Sequence, residues 1–227
     1  MVQGRIITVM DRNEKKAPKR SELRRQRERE QRYLTILASA EDLFARKGYH
    51  RTSMEEIADL AEVSVGTVYF YFKNKEDLIL QMLEKIGSQL RNLLGTEFDN
   101  ADGSIEGFKR AGTIFFEEFC LNYPQKVAIL FRESAGQSQQ LEAHRKKIFD
   151  KLIRDVQNAL IRVENNLEVT YQSHISAEVM AVSIMGMYER IAYQYLIWQN
   201  RPEDLRTIGR DAVDFIVGGI QNLSHKP

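Results

Sequence analysis

The sequence predicts an all-α protein in two parts, a group of short helices near the N-terminus and a longer helical region after it. Three observations predict this class. Apolar residues recur at three- and four-residue steps through most of the 227 residues. No useful length of chain alternates with the period of two that a half-buried strand needs. Short polar linkers carrying capping residues separate the periodic stretches.

Composition sets the outer limits. Hydrophobic residues make up 43% of the chain, ample for a packed core. No apolar run approaches the roughly 18 residues of a membrane span, and the start has no signal-peptide pattern, so the expected partners exclude a membrane. A lone cysteine, Cys120, rules out an intrachain disulfide framework and fits a reducing cytoplasm. Charge is uneven. Residues 1–32 hold 11 Lys/Arg against 5 Asp/Glu, while the whole chain carries only +1. A basic arm on a mildly acidic body suits a polyanion partner, or else is a solvated tail.

In chain order, residues 1–28 lack apolar periodicity, contain Pro18 and read as a disordered arm. From Glu28 to Lys47 the stripe Tyr33, Ile36, Leu37, Ala40 and Phe44 predicts a helix, stopped at Gly48. Thr52 with Glu55 and Ser53 with Glu56 both fit a capping box for a second helix bearing Met54, Ile57, Ala58 and Ala61. Ser64 opens a third helix to about Phe72. Asn74 caps a fourth, with Glu76 and Asp77 in its first turn and Leu78, Ile79, Met82, Leu83 and Ile86 as its stripe. Past Gly95, the segment TEFDNADGS reads as a polar linker. Longer helices follow at about 104–122, 124–134, 139–165, 176–199 and 202–223, with Pro124 and Pro202 in first turns. Two short helices joined by about three residues form a helix-turn-helix pattern, although any small helical bundle uses the same caps and stripes.

The stretch SVGTVYFYFKNK, residues 64–75, carries more information. At 100° per residue Val68 and Phe72 share the inward face with Val65 nearby. Gly66 and Phe70 point outward between Thr67 and Tyr69, and Tyr71 lies at the margin. An outward face without one charge is unusual for a solvated helix. It suits either a protein interface or a DNA major groove, where glycine permits close backbone approach, hydroxyls bond phosphates or base edges, and Phe70 meets thymine methyls. Lys75, at the next helix start, is placed for a phosphate.

The segment LFARKGYHRTSMEEIADLAEVSVGTVYFYFKNKEDL, residues 43–78, resembles the DNA-binding domain of the tetracycline-repressor (TetR) family. It matches Phe-x-x-x-Gly-Tyr, then Thr-Ser with Ile-Ala, then Gly-Thr-hydrophobic-Tyr-x-Tyr-Phe-x-x-Lys. Two positions depart from the pattern: Glu62 stands where the family usually has glycine, and Val65 where it often has Lys, Arg or Pro. The resemblance implies an all-α homodimer with an N-terminal three-helix helix-turn-helix domain, residues 29–83. Residues 84–227 would form a C-terminal domain that dimerises and binds a small-molecule effector. Thr52, Ser64, Gly66, Thr67, Tyr69, Phe70, Tyr71 and Lys75 fall on family positions that often touch double-stranded DNA. The implied function is a repressor released from a palindromic operator by an apolar or amphipathic effector. The alternative is a helical DNA-binding protein with no effector.

Candidate effector contacts, within an aromatic- and Met-rich region, are Phe115, Phe119, Arg132, His144, Met180, Met187 and Tyr188. Small residues Ser183, Gly186, Ala212 and Gly219 mark the last two helices as the expected dimer interface, along stripes including Val179 and Val182 on one and Leu205, Ile208, Phe215 and Ile216 on the other. Catalysis is not expected. The four histidines have no ligand spacing, no phosphate loop or nucleophile elbow is present, and Cys120 sits in a core-like stripe, so neither a metal nor a cofactor is expected.

Overall fold

The computed structural model describes residues 20–100, 103–133, 136 and 138–225. Nine α-helices form the described fold: α1 (Arg20–Lys47), α2 (Met54–Leu60), α3 (Val65–Tyr71), α4 (Lys75–Asn100), α5 (Ile105–Ile114), α6 (Pro124–Ala128), α7 (Gln139–Leu167), α8 (Ser176–Ala192) and α9 (Leu205–Leu223). α5, α6 and α8 widen into π-helical turns at Phe115–Cys120, Ile129–Glu133 and Tyr193–Trp198. Among the described residues the only strands are Thr170–Tyr171 (β1) and Ser224–His225 (β2), a two-residue antiparallel pairing that the sequence does not signal. None of the helices among the described residues is long and apolar enough to cross a membrane.

The capping chemistry predicted from sequence builds the first domain. Of the two overlapping boxes, Ser53–Glu56 is the one formed. The Glu56 amide donates to Ser53 Oγ at 3.2 Å and the Ser53 amide to Glu56 Oε2 at 3.0 Å. Ser64 caps α3 by accepting from the Thr67 amide at 3.1 Å. Asn74 Oδ1 accepts from the Asp77 amide at 2.8 Å at the head of α4. Ile36, Phe44, Ile57, Val68, Phe72 and Leu78 meet in the middle, all fully buried.

Two boundaries differ from expectation. α1 begins at Arg20, not near Glu28, so residues 20–28 of the expected disordered arm are helical. Strong helix formers and an Arg24–Glu28 ion pair at i,i+4 support a turn that has no apolar stripe to announce it. The arm's first 19 residues lie outside the described residues. α4 runs through Gly95 and into the expected linker, ending at Asn100, because Ile86, Leu90, Leu94 and Phe98 extend its buried stripe at four-residue steps. Helix α4 is therefore shared. Leu78, Ile79 and Met82 belong to its first half, Leu90, Leu94 and Phe98 to its second, and one continuous apolar cluster runs from Ile36 to Ile220.

Candidate nucleic-acid interface

The aromatic quartet divides as its helical phase predicts. Val68 and Phe72 are fully buried, whereas Tyr69 is 49% and Phe70 66% exposed. Gly66 is exposed beside them. A Cβ at Gly66 would meet only Ser64 Oγ, at 3.8 Å, so nothing inside the chain requires a glycine there. Ser64 Oγ and Thr67 Oγ1 are 2.8 Å apart and face the same edge. Tyr71 is half-buried, and its hydroxyl donates to the Arg29 carbonyl at 3.2 Å. Val65 is also half-buried against the core, so α3 begins without a cation.

The turn between α2 and α3 keeps left-handed geometry although it lacks glycine. Glu62 stands at φ 54°. A non-glycine residue there carries roughly 1 kcal/mol of strain. Glu62 thus adopts the left-handed conformation that a glycine would take without strain.

Two expected contacts are redirected inward. Thr52 is 2% exposed, and its hydroxyl donates to the Gly48 carbonyl at 3.0 Å. Lys75 Nζ donates to the carbonyls of Tyr49 and Thr52, each at 2.8 Å, and of His50 at 3.3 Å, and it lies 4.6 Å from the Tyr49 ring centre. All three ammonium donors are used within the chain. Burial lowers the Lys75 pKa, against Glu56 nearby, which raises it. The physical reason is that the turn from Gly48 to Thr52 aims three carbonyls at one point, and a cation satisfies them together. Lys75 therefore clamps the α1–α2 turn to the head of α4 and has no donor left for a phosphate. The structure brings Ser64, Gly66, Thr67, Tyr69, Phe70 and, at the edge, Tyr71 onto one outward surface, and leaves Thr52 and Lys75 behind it.

In the second domain, Phe115 and Tyr188 come together, with rings stacked 5.1 Å apart, and Phe119 stacks on Phe115 at 6.2 Å. Phe115 and Tyr188 line an apolar slot with Leu94, Phe98, Phe108 and Ile184. The slot holds about 20 Å³, the room of one water. Burial pushes the Tyr188 phenol well above its ordinary value. The other expected effector contacts lie elsewhere. Arg132 donates to the Ala45 carbonyl of α1 at 3.1 Å. His144 Nε2 stands 3.4 Å from Glu84 Oε2 of α4 without a hydrogen bond. Met180 is packed in the core and Met187 against it, neither in the slot. Cys120 is fully buried, and burial raises its thiol pKa.

Along α8 and α9 an apolar strip faces outward: Val179, Val182 and Phe215, the last 72% exposed, beside exposed Ser183, Gly186, Gly218 and Gly219. Leu205, Ala212 and Ile216, expected on that strip, are buried in the chain's own core. α9 packs against α5, and the inward phase of its stripe goes there, so the outward phase falls on Phe215 and the glycine pair.

Residues 36–82 match the model for bacterial regulatory proteins of the tetR family. The HTH-type transcriptional activator FasR of Mycolicibacterium smegmatis is 28% identical over 203 residues, 88% of this chain and 86% of that protein. An uncharacterized HTH-type transcriptional regulator of Bacillus subtilis, YuxN, is 25% identical over 197 residues, 85% of this chain and 65% of that protein. Among solved structures, the regulator FadR of Bacillus subtilis in complex with stearoyl-CoA shares the fold with a TM-score of 0.72 and 20% identity, over 82% of this chain and 98% of that one.

Proposed function

This chain belongs to the tetR family of bacterial regulatory proteins, and we propose that it is a dimeric repressor that leaves a palindromic operator when an apolar or amphipathic effector binds. One observation carries the DNA-binding half: an exposed, uncharged α3 face of Gly66, Thr67, Tyr69 and Phe70, with a glycine that the free chain does not need. Residues 29–83 read DNA. Residues 84–227 bind the effector and dimerise through the α8–α9 strip, where Phe215 and the exposed glycines allow a close four-helix contact. Such a regulator works in the cytoplasm and needs no catalytic group.

α4 supports the coupling. Its head is clamped by Lys75 within the DNA-binding domain, and its far half gives Leu90, Leu94 and Phe98 to the slot wall. An effector must open the slot, which displaces that half. A dimer spans successive major grooves only while its reading helices stay about 34 Å apart. The apolar lining, together with the stearoyl-CoA complex of a protein of the same fold, points to a fatty-acyl ligand. The closed slot favours one second reading, a DNA-binding regulator with no effector.

The test is to select an operator from random duplexes and then titrate stearoyl-CoA into the complex. Sequence-specific binding as a dimer, released by the ligand, is expected. Binding without sequence preference would contradict the proposal. Sequence-specific binding indifferent to acyl-CoAs would favour the second reading.

A further inference from the structure

Helix α1 continues well past the point where its core contacts stop. Its buried residues begin at Ile36, yet it reaches back to Arg20, and every residue from Arg20 to Arg32 is exposed. About 13 residues of helix, roughly 20 Å at 1.5 Å per residue, therefore extend beyond the buried core. Its root is fastened to the reading helix. The Tyr71 hydroxyl donates to the Arg29 carbonyl at 3.2 Å, and the Arg29 guanidinium lies 5.4 Å from the Phe70 ring centre. Tyr33 stacks on Phe72 at 5.3 Å and donates to Gln81 Oε1 of α4 at 3.1 Å. Arg25, Arg29 and Arg32 recur at steps of four and three. Arg25 and Arg29 line a groove of about 530 Å³ together with Tyr33, Tyr71, Glu22 and Glu30. Among the described residues, Arg25 and Arg32 form no ion pair.

We propose that this extension of α1 is a rigid spur that carries Arg25, Arg29 and Arg32 to backbone phosphates flanking the bases faced by α3. The inference rests on the reading of α3 as the DNA-facing helix. Duplex DNA is the partner because Phe70 serves both surfaces. It belongs to the outward face of α3 and to the anchor of the extension, so a duplex seated on α3 must pass the root of the spur. Arginine suits phosphate because its planar fork donates two parallel hydrogen bonds. Twenty ångströms correspond to about six base pairs of added contact per half-site at 3.4 Å per pair. A helix held at its root delivers these charges in one direction, which a flexible tail of equal charge does not.

The test uses the full chain, a selected operator in a long duplex, and two variants. In Arg25→Ala/Arg29→Ala/Arg32→Ala the slope of log affinity against log salt should flatten by up to about 2.7 per protomer, at 0.9 per phosphate, with at least a tenfold loss at low salt. The hydroxyl-radical footprint should shorten at both ends. Gln26→Pro keeps every charge but breaks the helix, and should reproduce most of that loss. An unchanged slope and footprint in the triple variant would overturn the spur, and would leave the α3 reading standing if Tyr69→Ala still weakens binding. A triple variant that loses affinity while Gln26→Pro binds like the parent would show a flexible polycation and also overturn it.

Discussion

Lys75→Ala separates a structural clamp from a phosphate contact. In the structure the ammonium satisfies three carbonyls, at 2.8, 3.3 and 2.8 Å, and also faces the Tyr49 ring. A hydrogen bond to a charged group contributes about 1.5–3 kcal/mol when well buried. Lys75 is only partly buried and water can reach some of the carbonyls once it is gone, so the sum must be discounted heavily. A net loss of about 2–3 kcal/mol is expected, or about 5–10 °C in Tm for a chain of this size. The assay is urea and thermal unfolding beside operator titration over a range of salt. The clamp predicts lower stability with an unchanged salt slope under conditions where the variant is folded. An unchanged Tm with a slope reduced by about 0.9 would return Lys75 to the phosphate and refute the clamp.

Three further outcomes are expected. Glu62→Gly relieves the left-handed strain and should raise stability by up to about 1 kcal/mol, read as a higher urea midpoint with the same m-value. Burial, then Glu164, holds the Tyr171 phenol up to about 12, against an ordinary value of 10. The fold thus favours the neutral phenol, and its contribution is complete below pH 10 and fades as pH rises through the range to about 12. Tyr171→Phe should cost about 1 kcal/mol at pH 8, where the bond to the Leu160 carbonyl is lost, and the gap should close by pH 11–12, whereas parallel pH profiles would contradict the assignment. Phe215→Asp should convert the dimer to monomer at micromolar concentration by sedimentation with little change in the monomer's helicity, and a dimer that survives would move the interface elsewhere.

What the sequence reveals follows how local each feature is. The caps at Ser53, Ser64 and Asn74 are short-range hydrogen bonds, so residue type and spacing predict them. The outward turn of Tyr69 and Phe70 follows from helical phase and the need to bury Val68 and Phe72. Lys75 misleads because its partners, the carbonyls of residues 49–52, lie 23 or more positions away, and their convergence exists only after the first domain folds. The spur is hidden for a related reason. Arg25 looks like part of an undirected basic arm, and only the helix that begins at Arg20 sets it in line with Arg29 and Arg32. In the second domain the aromatic composition foretells a core, but periodicity does not say which of its members meet. Phe115 and Tyr188 do, whereas Arg132 reaches the Ala45 carbonyl of α1 and His144 faces Glu84 of α4. α9 shows the same limit, since its two apolar phases look alike in sequence and packing against α5 decides which is buried.

The central claim, that the Gly66 face of α3 meets DNA closely, is tested most directly by Gly66→Leu. Within the chain a Cβ at this position meets only Ser64 Oγ, at an ordinary contact distance of 3.8 Å, and leucine is a better helix former than glycine by up to about 1 kcal/mol, so Tm should hold or rise. Against a duplex seated on the same face the added side chain has no room. Operator affinity, measured by fluorescence anisotropy on the purified protein, should fall at least tenfold while stability does not. A Gly66→Leu variant that binds the operator as tightly as the parent would place the DNA on another surface.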